Sequence, residues 1–149
     1  MRVFDPVSIV LGTKSKELWT VPPDATVYSA IEMMAQKHVG SLLVIDQSVL
    51  VGIITERDYA RKVILMGRSS KDTFVREIMS TSVVTVHPDC TVDEAMRVMT
   101  VHRIRHLPVI KDGGVVGMIS IGDLVNWIIF TQDKTIEQLE HFITGQYPC

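Results

Sequence analysis

Cysteine is scarce in this 149-residue chain, which carries only Cys90 and Cys149. Two thiols make no disulfide framework, so the expectation is a reduced protein held by an apolar core. An excess of charge is also missing: 15 basic against 17 acidic residues leave a net charge of −2. That balance excludes a broad positive field for gripping nucleic acid or an anionic membrane. Long apolar runs are absent too. The most apolar stretch, residues 115–130, is too short for a bilayer and is interrupted by Gly117, Ser120, Gly122, Asp123 and Asn126. Residues 1–6 lack the apolar segment of a signal peptide and the Arg- and Ser-rich look of a transit peptide. The expectation is a soluble, cytoplasmic protein. Catalytic signatures are missing as well: no Gly-x-Ser-x-Gly, no Walker loop, no Gly-x-Gly-x-x-Gly and no Cys/His cluster. The sequence therefore predicts no catalytic residue, no metal site and no catalytic cofactor.

What is present is repetition. Slid by 65 positions, Thr20-Val21 falls on Thr85-Val86, Pro23-Asp24 on Pro88-Asp89, and Thr26-Val27 on Thr91-Val92. Ala30 and Met34 meet Ala95 and Met99; Leu42, Val44 and Ile45 meet Leu107, Val109 and Ile110; Gly52, Ile54 and Asp58 meet Gly117, Ile119 and Asp123. Each copy reads as a short strand, a Pro-Asp turn, a helix with apolar residues at helical spacing, a hairpin and a closing helix. The order is β-α-β-β-α, twice. Two copies are too few for a solenoid, and each is marginal alone. The expected fold class is α/β, with two repeats packed about a pseudo-twofold axis. The divisions follow as residues 1–18 (N-terminal segment), 19–66, 67–82 (polar linker), 83–131, and 132–149. Asp5 as N-cap and Pro6 as the first helical residue, with Gly12 after them, predict a short opening helix. Ile136, Leu139 and Ile143, then Gly145, predict a separate C-terminal helix.

The most informative recurrence is Gly52-Ile53-Ile54-Thr55-Glu56-Arg57-Asp58 against Gly117-Met118-Ile119-Ser120-Ile121-Gly122-Asp123. A hydroxyl ends an apolar strand and an aspartate follows in the first turn of a helix. Two roles fit. The pair caps the helix, or it presents a hydroxyl, backbone N–H groups and a bidentate carboxylate to a diol-bearing ligand. A cap would recur in both copies too, so both roles stay open. The stretch His102–Val109 carries Arg103, Arg105 and His106, suited to phosphate, or else to a solvated loop. His102 and His106 lack a third ligand, and Pro108 disfavours a helix reaching His106. The basic strip Arg57, Arg61, Lys62, Arg68, Lys71 and Arg76 reads as a solvated face. Cys90 reads as a buried structural thiol.

These patterns together resemble the CBS-domain pair, or Bateman module, in its stand-alone form. The resemblance spans about Trp19 to Phe130 and rests on the doubled Thr-Val-x-Pro-Asp, the Val-x-x-Ala helix, the apolar hairpin and Gly-hydrophobic-x-Thr/Ser-x-x-Asp. It implies a regulatory module that binds AMP, ADP, ATP or NAD(H) between its repeats, works as a homodimer and signals to a partner protein. The alternatives are a ligand-free dimeric adaptor and a nucleotide-processing enzyme. Carried over residue by residue, one cleft groups Thr55 and Asp58 with Thr85, Val86, Arg103, Arg105, His106 and Pro108. The other groups Ser120 and Asp123 with Thr20, Val21, Val39, Gly40 and Ser41. On this grouping the Asp58 cleft is the tighter, phosphate-holding one.

Overall fold

The computed structural model describes residues 3–14 and 18–144, with the side chains of residues 134–144 outside that description. Element order follows the doubled β-α-β-β-α expectation. Helix α1 (Val7–Gly12) precedes strand β1 (Thr20–Val21), helix α2 (Val27–Lys37) and the hairpin β2 (Ser41–Asp46) and β3 (Val49–Thr55). Helix α3 (Glu56–Tyr59) runs on as a π-helical turn, Ala60–Ile64, before the short α4 (Val75–Ile78). Helix α5 (Val92–His102), the strands β4 (His106–Lys111) and β5 (Gly114–Ser120), and helix α6 (Ile121–Thr144) complete the second repeat.

The chain divides into two compact units. One comprises Glu17–Val86 and Pro108–Gly117. Within it β1 lies parallel to β2, and β2 pairs antiparallel with β3 in the register Ser41↔Thr55 and Leu42↔Ile54. Val21, Val27, Ala30, Met34, Leu42, Val44 and Ile54 form its core, with Val63, Val75 and Ile78. Each such side chain, fully buried, contributes roughly 1.5–3 kcal/mol. The expected linker is therefore only partly a linker. Thr73, Val75 and Ile78 are buried, and the Val75 and Arg76 N–H groups donate to the Ala25 and Pro23 carbonyls. The segment caps the start of α2.

The other unit comprises Met1–Lys16, His87–Leu107 and Met118–Cys149. Its buried apolar residues include Val7 and Val10 of α1, Val92, Ala95 and Met99 of α5, and Leu107, Ile119 and Leu124. Two expectations are corrected here. Pro6, not Asp5, is the N-cap of α1, because Asp5 is used elsewhere: its carbonyl accepts the Val92 N–H at 2.8 Å and its carboxylate the Trp127 indole N–H at 2.9 Å. The predicted break between residue 130 and a C-terminal helix is absent; α6 is continuous, since no Gly or Pro interrupts residues 131–144. Gly145 and Cys149 lie outside the described residues.

Candidate functional site

Each repeat builds the same junction by the same local chemistry. Helix α2 ends where His38 turns left-handed (φ 56°), and α5 ends where Arg103 does so (φ 55°). The next N–H groups, of Val39 and Ile104, donate back to the Met34 and Met99 carbonyls at 3.0 Å. This Schellman-type closure aims the following residues, Gly40-Ser41 or Arg105-His106, into the hairpin. The second strand then returns beside them and runs directly into the closing helix.

At the first junction, the Asp58 N–H donates to Thr55 Oγ1 at 3.1 Å, while Asp58 Oδ2 accepts the Thr55 N–H at 3.0 Å and its hydroxyl at 3.1 Å. The Glu56 N–H donates to the Gly40 carbonyl at 3.0 Å. Lys62 Nζ stands 3.1 Å from Asp58 Oδ1 and donates to the Ile78 carbonyl at 2.8 Å. Lys62 is thus part of this junction rather than of a solvated strip. The i,i+4 spacing from Asp58 was the available signal.

At the second junction, the Asp123 N–H donates to Ser120 Oγ at 3.1 Å and Asp123 Oδ2 accepts the Ser120 N–H at 2.8 Å. The Ile121 N–H donates to the Arg105 carbonyl at 2.8 Å. A second cation arrives from afar: Lys14 Nζ lies 2.6 Å from Asp123 Oδ2 and donates to the Met118 carbonyl at 2.8 Å. Burial pushes the His106 imidazole below its ordinary range; the Lys14 and Arg105 charges push the same way, and Asp123 opposes them. A cavity of about 370 Å³ opens here, lined by Val10, Thr13, Lys14, Asp123, Asn126, Trp127 and Phe130.

The expected grouping of site residues is corrected accordingly. The hairpin brings Val39, Gly40 and Ser41 beside Thr55 and Asp58, with Thr20 and Val21 on the neighbouring strand. It brings Arg105 and His106, after Arg103, beside Ser120 and Asp123. Each repeat supplies its own strand start to its own aspartate, because an antiparallel hairpin returns its second strand to where the first began. Thr85, Val86 and Pro108 sit together: Val86 bridges Val109 in parallel and its N–H donates to the Pro108 carbonyl at 3.0 Å. Val21 is a core residue, 4% exposed, so only its backbone can face a ligand. The Cys90 thiol is pushed up to about 11, chiefly by burial and then by the charge of Glu94, and is a poor nucleophile at neutral pH. Among the described residues, no three His, Cys, Asp or Glu groups could hold a metal, and no helix is long and apolar enough to cross a membrane.

The CBS domain family matches residues 13–64 and 75–129. This chain belongs to the CBS-domain family. Its two CBS repeats are those of a stand-alone pair, a regulatory module of a generally non-catalytic kind. The mitochondrial CBS domain-containing protein CBSX3 of Arabidopsis thaliana is 45% identical over 95% of this chain and 73% of its own length. A solved Burkholderia ambifaria protein with CBS domains is 49% identical at a TM-score of 0.83, over 85% of this chain and 96% of that one. The CBS domain pair of protein MJ0100, solved with 5′-methylthioadenosine and S-adenosyl-L-methionine, is 26% identical at a TM-score of 0.76, over 86% and 98% of the two chains.

Proposed function

We propose that this CBS pair binds an adenosine nucleotide, AMP, ADP, ATP or NAD(H), and passes its occupancy to a partner protein, acting as a cytoplasmic homodimer. The carrying observation is the doubled junction: hydroxyl, backbone N–H groups, aspartate and lysine recur at the head of α3 and of α6. In this reading Asp58 and Asp123 hold ribose hydroxyls, and Thr55 and Ser120 hold ribose or phosphate. Thr20, Val21, Val39, Gly40 and Ser41 complete the first site. Arg103, Arg105 and His106 complete the second, while Thr85, Val86 and Pro108 offer backbone to a base. The adenosine ligands of the MJ0100 pair support the ligand class. The phosphate-rich end belongs with Asp123, where Lys14 and Arg105 supply cations, and not with Asp58 as the first grouping had it.

A dimeric adaptor with empty sites is the second reading, favoured by the fact that both carboxylates are already engaged by a cap and a lysine. Thermal melting separates the two. A ligand bound only by the folded form at 100-fold saturation adds roughly 2.7 kcal/mol. AMP, ATP or NADH should raise the midpoint, and GMP should raise it less. No shift with any of them at millimolar concentration would leave the adaptor.

A further inference from the structure

Lys62 and Trp127 occupy equivalent positions at the 65-residue offset, each four residues after its aspartate. In the first repeat that position supplies the ammonium for Asp58, and the Ile78 carbonyl tethers it. In the second repeat the position carries an indole, its N–H committed to Asp5 and its ring 5.6 Å from that of Phe130. The ammonium for Asp123 comes instead from Lys14, two residues beyond α1, in the segment ahead of the first repeat's strands. Exchanging lysine for tryptophan therefore does two things at once. It walls a cavity with aromatic surface, and it moves the cation from a helix-fixed position onto an arm at the cavity's polar end.

The arm and a ribose compete for the same oxygen. Asp123 Oδ2 accepts both the Ser120 N–H and the Lys14 ammonium. A diol that binds the carboxylate with both hydroxyls has to take over part of Oδ2 and so releases Lys14. The freed ammonium then faces Arg105 and a half-buried His106 with its counter-charge lost, unless the ligand brings an anion. We propose that Lys14 is the phosphate-selecting residue of the Asp123 site: the ribose takes Asp123, and Lys14 turns to the phosphate of the same ligand. The inference rests on the adenosine-binding reading and adds to it a reason for preferring nucleotide over nucleoside. A neutral nucleoside breaks the ion pair and returns nothing to the lysine.

The chain has two tryptophans, so Trp19→Phe leaves Trp127 as the sole indole, reporting on the cavity that it lines. In that background AMP and adenosine are titrated by emission against Lys14, Lys14→Met, Lys14→Gln and Lys14→Arg. With lysine, AMP should bind at least about tenfold tighter than adenosine, as a charge-assisted contact predicts. Met and Gln should abolish that preference while leaving adenosine within about threefold, and Arg should restore it. Gln can still donate to Met118 and so stands in should Met fail to fold. An AMP-to-adenosine ratio equal in Lys, Gln and Met proteins would overturn the selection role and leave adenosine binding intact. Failure of the lysine protein to bind either compound would overturn both.

Discussion

Asp58 and Asp123 are helix caps in this structure whatever else they do. Each carboxylate accepts the backbone N–H of the hydroxyl residue three positions before it, in the first turn of a helix. Asp→Asn at either position should therefore lower the melting stability of the ligand-free protein by roughly 0.3–1 kcal/mol. His106 gives a second prediction at this scale. Its imidazole titrates below the ordinary 6.5 because burial disfavours the charged form and Lys14 and Arg105 repel it. With the folded value depressed, the unfolded chain binds more protons in the interval between the two values, so stability rises with pH there. The contribution is fully present above 6.5 and is lost as pH falls through the lower folded value. Lys14→Met should lift the His106 midpoint, followed by the ring-proton shifts in NMR. It should stay below 6.5, since burial, the leading cause, remains. An unmoved midpoint would mean that Lys14 does not reach the ring.

Among the elements, the hairpins carry the clearest dependence on single residues. A Cβ on Gly52 would come within 2.7 Å of Met79 Sδ and 2.9 Å of the Ser80 carbonyl oxygen. There the Ile53–Ser80 bridge pulls the chain against β3. Gly52→Ala should cost about 1–3 kcal/mol by overpacking, read from denaturant midpoints. The two hairpin turns differ in quality. Gln47 and Ser48 both adopt positive φ (49° and 68°), as do Asp112 and Gly113 (52° and 78°). Only the second turn has the Asp-Gly pair that suits such a turn. Replacing Gln47-Ser48 by Asn-Gly should stabilise the protein by roughly 1 kcal/mol, by removing left-handed strain.

Legibility from sequence follows the range of each interaction. The repeat, the Thr91 capping box and both hairpins are local patterns, and the structure has them where the spacing put them. What was not legible depends on distant partners. Lys14 finds Asp123 across 109 positions. Asp5 lost its capping role to Val92 and Trp127, and the short run Thr73–Ile78 is buried only because α2 and β3 present a surface to it. The misgrouping of Arg103, Arg105 and His106 had a different origin. Carried-over residues were divided between clefts without following each hairpin back to its own helix.

At the scale of the molecule, apolar surface remains uncovered on the described chain. Val125, Ile129 and Phe130 of α6 are exposed, as are Leu65 and Met66 after α3. That surface suits the proposed homodimer, and light scattering should report twice the 16.7 kDa chain mass at micromolar concentration. Ligand sensing is the central claim, and calorimetric titration of AMP into the native protein, Asp58→Asn and Asp123→Asn tests it most directly. Each carboxylate that holds a ribose contributes roughly 1.5–3 kcal/mol, so each variant should lose its own site by more than about tenfold. Asp123→Asn should remove the tighter and more salt-sensitive one. Unchanged AMP affinity in both variants, alongside the lower ligand-free melting temperature of a lost cap, would contradict the account.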